Sequence, residues 1–196
     1  MYLFFDTETS GLPKNRNAPV SDLNNWPRLV QIAWLRYDIS EKQISSYDYI
    51  IKPQGFTIHY DSAKIHGIST ERAIDEGVSL KRVLNEFSKV IGESRFLVAH
   101  NMNFDGKVVG AEFLREDVPN RFFKTTRICT MVSSTDFCQI PGPYGYKWPT
   151  LSELHLALFN TDYKESHNAA VDVTVCAKCF FELKRLGIIK ITFNNL

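Results

Sequence analysis

The chain has 196 residues, 44% hydrophobic and 23% charged, with a formal net charge of +1. Such a composition suits one compact domain over residues 1–196 with a sizeable core, and it lacks the strong basic bias of a protein that grips nucleic acid along a long track. No apolar run approaches the ~20 residues that span a bilayer, and Met1 to Phe5 leads into Asp6 and Glu8 without the charged start or cleavage site of a signal peptide, so a cytoplasmic location and no membrane partner are expected.

Met1 to Phe5 is continuously apolar and reads as a central strand buried on both faces. Gly11 and Pro13 break the chain, and the polar stretch Lys14 to Asn25 is expected to be a mobile loop. Leu29 to Tyr37 and Ile44 to Ile51 read as strands, and the polar connector Asp38 to Gln43 between them fits a hairpin. The first three strands thus form a meander. Leu80, Val83, Leu84, Phe87, Val90 and Ile91 recur at helical spacing behind Ser79, which can cap the helix.

Phe96 to Ala99 is a short buried strand, Phe104, Val108, Ala111 and Leu114 mark a second helix, and Arg127 to Met131 reads as a last strand. Thr150 and Glu153 make a capping box ahead of Leu151, Leu154 and Leu158. The final helix carries Ala169, Val173, Cys176, Phe180 and Leu183 and ends at Gly187. Strands come first as a meander and then alternate with helices. That order predicts an α/β fold with a mixed five-stranded sheet and helices on both faces.

There are four cysteines. Cys176 and Cys179 form a C-x-x-C, but they lie inside the final helical pattern, and Cys129 and Cys138 do not form a matching second pair. Small buried residues of a helix account for the motif better than a zinc site does. A reducing compartment keeps such thiols free.

The acidic residues are more informative. Asp6 and Glu8 are two apart at the end of the first strand, so both side chains point to one face. Paired carboxylates beside an apolar core are costly unless a cation lies between them, and oxygen ligands suit Mg²⁺ or Mn²⁺. Asp105, in Asn101-Met-Asn-Phe-Asp105, opens a helix, where a helix-dipole role alone would explain it. Asp172 falls at the edge of the final helix's apolar arc, and His167 sits in the loop before that helix, with Asn168 as cap. Each piece singly has an ordinary structural explanation.

Taken together, D-T-E after the first strand, N-x-x-F-D after a later one and H-x-x-x-x-D on the last helix resemble the DEDDh branch of the DnaQ-like 3′→5′ exonucleases. The group includes the proofreading subunit of bacterial DNA polymerase III, ribonuclease T and oligoribonuclease. Asp6-Thr-Glu-Thr-Ser-Gly-Leu12, Pro27-Arg-Leu-Val-Gln-Ile32 and Ile65-His-Gly-Ile68 add to the likeness. Ser10 stands where many members have Thr, and the Gly- and Pro-rich segment Pro141 to Trp148 reads as an added flap.

This resemblance implies a ribonuclease H-like sheet and a two-metal site in which Asp6, Glu8, Asp105 and Asp172 bind two Mg²⁺ or Mn²⁺ ions. It implies that His167 is the general base, a role histidine fills well near neutral pH. The substrate would be the 3′ end of a single-stranded DNA or RNA, and the product a nucleoside 5′-monophosphate. Backbone groups near Thr7 to Thr9 would bind the 3′-OH, and Leu12 would wedge against a base. His66 and Ile68 would line the terminal-nucleotide pocket. Phe104 would pack on base or sugar or serve the helix core, and Asn101 would bind the nucleotide or close a turn. Arg121, Lys124, Arg127 and Lys147 are candidates to follow the phosphates. An inactive binding module of a replication or repair assembly is the alternative, and a polymerase partner or a homodimer is left open.

Overall fold

The computed structural model describes residues 1–163 and 167–191. Its main sheet has five strands: β1 (Tyr2–Thr9), β2 (Leu29–Tyr37), β3 (Gln43–Ile50), β4 (Phe96–Ala99) and β5 (Thr126–Cys129), in the spatial order β3-β2-β1-β4-β5. The first three pair antiparallel as the expected meander, while β4 and β5 add on parallel to β1. The predicted mixed, ribonuclease H-like sheet is therefore present.

The helices are α1 (Tyr60–His66), α2 (Thr70–Glu76), α3 (Leu80–Glu93), α4 (Met102–Arg115), α5 (Thr130–Ser133), α6 (Thr135–Cys138), α7 (Leu151–Phe159) and α8 (Ala169–Arg185). A two-stranded hairpin, β6 (Pro141–Gly142) and β7 (Gly145–Tyr146), precedes α7. Side chains alternate along β1. Leu3 and Phe5 enter a core with α3 and α4, whereas Tyr2 and Phe4 enter a second core with α7 and α8. Helices thus cover both faces of the sheet. Among the described residues no helix is long and apolar enough to cross a membrane. All four cysteines are free, and Cys176 and Cys179 are buried in α8, as the helical reading of that segment requires.

Several elements differ from the sequence reading. β1 continues from the apolar run through Asp6 and Glu8, as expected, and reaches Thr9 because β2 continues to pair with it. β5 ends at Cys129 rather than Met131, since Thr130 already starts α5. Ser79 precedes α3 without a side-chain capping bond, whereas the Thr150–Glu153 capping box of α7 is complete. Helices α1 and α2 were not anticipated. Each buries a single residue, so neither carries an apolar stripe to read.

The segment Lys14 to Asn25 is a braced loop rather than a loose one. The backbone N–H of Asn15 donates to Asn25 Oδ1 at 2.7 Å, Trp26 Nε1 donates to the Pro19 carbonyl at 2.9 Å, and Arg115 reaches the Trp26 carbonyl at 2.7 Å. The first two bonds join residues with no periodic spacing and Arg115 comes from far along the chain, which is why polarity alone suggested mobility.

Candidate active site

β1 carries two carboxylates beyond the edge of its parallel neighbour. Glu8 lies opposite Gln31 of β2, and the register shifts between Glu8 and Thr9. On the other side, pairing with β4 ends at Phe4 opposite Val98. Asp6 to Thr9 therefore overhang the parallel half of the sheet, with the irregularity that often re-aims side chains at functional sites. Asp6 and Glu8 continue the row of Tyr2 and Phe4 toward α8, while Thr7 continues the row of Leu3 and Phe5 toward α4.

α8 brings in Asp172. Its first turn is capped by Asn168, whose Oδ1 accepts the Ala170 N–H at 3.1 Å. Gln31 docks that turn on the sheet: its Oε1 accepts the Ala169 N–H at 3.3 Å and its Nε2 donates to Asp48 at 2.7 Å. Ligand oxygens of Asp6, Glu8 and Asp172 lie within 4.8 Å of one another. The Tyr163 hydroxyl donates to Asp172.

Asp105 arrives from the opposite face of the sheet, in the first turn of α4. It is buried and accepts a 2.7 Å hydrogen bond from Thr7 Oγ1. It stands outside the three-carboxylate cluster but lines the same cavity, of about 260 Å³, together with Asp6, Glu8, Asp172 and His167. His167 is exposed in the loop before α8, with φ 44°. The five residues singled out from the sequence thus converge from β1, α4 and the start of α8.

The electrostatics suit a divalent cation. Burial, followed by the charges of Asp172 and Asp105, pushes the Glu8 carboxyl up to about 8. Burial raises Asp105 as well, opposed by its hydrogen bond from Thr7. Among the described residues no lysine or arginine lines the cavity to offset these charges. The donor set is all oxygen and strongly acidic, which matches the preference of hard cations such as Mg²⁺ or Mn²⁺.

A second cavity, of about 450 Å³, adjoins Thr7 and Glu8 and is lined by Thr9, Leu12, His66 and Phe104. Leu12 is 76% exposed despite being apolar. Thr9 Oγ1 donates to the Gly11 carbonyl at 2.7 Å, so that hydroxyl braces the turn. His66 is buried, and its Nδ1 accepts the Ile68 N–H at 3.2 Å. Burial lowers the His66 pKa, the Thr9 backbone opposes this, and nearby His167 lowers it further.

Ile68 departs from expectation. It does not line the cavity but packs with Val30, Ile58 and Ala73, so its side chain belongs to the core under α1 and α2. Phe104 packs against the α3–α4 core and also lines both cavities. Asn101 precedes α4 without a side-chain capping bond and lines the acidic cavity. Of the basic candidates, Lys147 is paired with Glu153 at 2.6 Å and Arg127 lies over the Phe123 ring at 5.1 Å.

The sequence reading missed His100, which also lines the acidic cavity. Its Nε2 lies 3.0 Å from the Pro149 carbonyl and its Nδ1 lies 3.0 Å from Thr130 Oγ1. A carbonyl only accepts, so Nε2 carries the proton. The available signal was a polar residue placed directly between a buried strand and the Asn101–Asp105 motif.

A model of the exonuclease family matches residues 3–180. The chain belongs to the exonuclease family. The match agrees with the DnaQ-like resemblance of the acidic motifs and covers all of the converging residues. Comparison with curated proteins gives no match. Among solved structures, this exonuclease-family chain is similar to E. coli exonuclease I in complex with a dT13 oligonucleotide, with a TM-score of 0.73 and 19% identity over 95% of this chain and 42% of that one. It is also similar to the dA16 complex of that enzyme, with a TM-score of 0.72 and 18% identity over 94% and 40% of the two chains. The zinc-ion-bound form of the E. coli exonuclease I–ssDNA complex gives a TM-score of 0.71 and 21% identity over 94% and 40%. At these identities the likeness is one of fold. The chain spans about two fifths of the length of these proteins.

Proposed function

We propose that this chain is a metal-dependent 3′→5′ exonuclease that hydrolyses the terminal phosphodiester of a single-stranded nucleic acid and releases a nucleoside 5′-monophosphate. The observation that carries the reading is the meeting of Asp6, Glu8, Asp105 and Asp172 around one cavity with His167 beside them. The strand would be DNA or RNA, and the single-stranded DNA complexes of E. coli exonuclease I favour DNA. Four free thiols fit a reducing, cytoplasmic setting.

In this reading Asp6, Glu8, Asp105 and Asp172 would together hold two Mg²⁺ or Mn²⁺ ions. Two bound ions supply charge stabilisation to the attacking and leaving oxygens of an in-line phosphoryl displacement. His167 is the general base that takes a proton from the attacking water. Its exposed position lets that proton pass on to solvent. The backbone at Thr7 to Thr9 binds the terminal 3′-OH, Leu12 wedges beside the terminal base, and His66 closes the pocket. Phe104 supports base or sugar, and Asn101 lies toward the scissile phosphate. Ile68 contributes by holding the His66 ring through its N–H.

The test is digestion of 5′-labelled DNA and RNA oligonucleotides side by side, with Mg²⁺, with Mn²⁺ and with chelator. Stepwise shortening from the 3′ end, with mononucleotide release and full loss in chelator, is the expected result. Internal cleavage, or an unchanged substrate with both ions, overturns the reading.

A further inference from the structure

We propose that Trp148, at the base of the β6–β7 hairpin, is a stacking site for the base next to the 3′-terminal nucleotide. The proposal rests on the acidic cavity being the place of hydrolysis, and it deepens that reading by assigning the next nucleotide of the strand.

Three cavities meet at Phe104. One is the acidic cavity and the second is the Leu12–His66 cavity. The third, of about 380 Å³, is lined by Trp148 and Met131 together with Leu12, Arg16, Asn101 and Phe104. It shares Leu12 with the terminal-nucleoside cavity and Asn101 with the acidic one. A strand with its last nucleoside beyond Leu12 and its scissile phosphate at the carboxylates therefore brings its next base to the third cavity.

Trp148 is 63% exposed and lines the third cavity, so its ring is open to a base there. Its backbone is nevertheless held on both sides. The Lys147 N–H donates to the Ile140 carbonyl at 2.9 Å, and the Pro149 carbonyl pairs with His100 at 3.0 Å. An exposed aromatic ring on a held backbone binds with little further backbone ordering cost. Tyr144 and Tyr146 alternate with it along the hairpin and are also exposed.

The chemistry of the walls selects the occupant. Aromatic faces suit any base, because every base has a face to stack. Amide groups of Asn101 and Asn103 can meet base edges, and Arg16 can meet a phosphate. Asn103 also lines a groove bearing Lys107 and Arg127, so positive charge continues along the path a strand would take. An apolar peptide would leave these polar and charged groups without partners. His100 joins Trp148 to the active site, since its ring lines the acidic cavity while holding the residue after Trp148.

The experiment is a two-by-two comparison in the full chain. Binding of 5′-fluorescein oligothymidylate is measured by anisotropy with Ca²⁺, for wild type, Trp148→Ala and Trp148→Phe. Each protein is tested on an intact strand and on one lacking the base at the penultimate position. The expected result is that Trp148→Ala weakens binding of the intact strand by about 10- to 100-fold, the usual worth of one stacked base. Trp148→Phe keeps most of the affinity. On the strand lacking that base, wild type shows the same loss and Trp148→Ala adds nothing to it. Equal losses on both strands, or no loss on either, overturn the proposal. Because binding is read without turnover, an inactive wild type that still shows this pattern would remove the exonuclease reading and leave the stacking site standing. Failure of wild type to bind any strand removes both.

Discussion

Thr7 Oγ1 donates a 2.7 Å hydrogen bond to Asp105 Oδ1, joining β1 to the first turn of α4 on the face opposite Asp6 and Glu8. Through this bond one three-residue stretch, Asp6-Thr7-Glu8, contributes two carboxylates directly and orients a third. Hydrogen-bonded partners of metal ligands typically change affinity or activity by ~10–100-fold when removed. Thr7→Val keeps the shape and removes the donor. The expected outcome is a rise of that order in the Mn²⁺ concentration needed for half-maximal activity, measured by metal titration, with a thermal midpoint close to wild type.

The crowding of acids makes the metal-free protein sensitive to pH. Glu8 is raised from its usual 4.5 to about 8, chiefly by burial and then by Asp172 and Asp105. A carboxyl raised on folding contributes stability below its unfolded pKa and loses it as pH rises through the folded one. Asp105 acts in the same direction. Melting temperatures in chelator should therefore fall between about pH 4.5 and 8. The fall should be smaller in Glu8→Gln, and Mn²⁺ should raise the midpoint most at the alkaline end. A wild-type midpoint that climbs over this window in parallel with Glu8→Gln would falsify the assignment.

Asp6 and His167 should separate by phenotype. Asp6→Ala removes a member of the carboxylate cluster. It should abolish both turnover and stabilisation by Mn²⁺ in thermal melts. His167→Ala should slow the chemical step by ~10²–10⁴-fold, the usual worth of a general base. It should keep the Mn²⁺-induced rise in melting temperature, since the side chain is exposed and outside the cluster. Wild-type turnover in His167→Ala would remove it as the base.

A further carboxylate, Glu112, has a structural task. It is fully buried, accepts from Arg28 Nε at 2.8 Å and from the Leu29 N–H at 2.9 Å, and pairs with Arg115 at 3.1 Å. This cluster ties α4 to the start of β2. Glu112→Ala leaves two cationic side chains without their shared partner. Breaking such buried pairs costs about 3–5 kcal/mol. Urea denaturation should show a loss of that size, and metal-dependent activity per folded molecule should be retained.

Strong periodicity made the long elements legible. The apolar run at the start of β1, the stripe of α3, the capping box of α7 and the spacing of α8 each state their structure locally. The short helices α1 and α2 stayed hidden because each buries only one side chain. Lys14 to Asn25 looked loose because its internal bonds follow no periodic pattern and Arg115, which also braces it, lies far along the chain. The resemblance carried by Ile65-His-Gly-Ile68 implies a pocket role for Ile68, yet it packs in the core beneath.

The sequence by itself determined the candidate groups for the proposed chemistry: the carboxylates, the histidine before the last helix and the order in which they occur. Only the tertiary structure decided that Asp105 reaches the site from the other face of the sheet, that His100 bridges the site to the hairpin and that Trp148 lines one cavity with Phe104. Local spacing fixes the face on which a side chain lies. The meeting of two faces depends on where β4 stops and lets β1 overhang, and that is a property of pairing between distant segments.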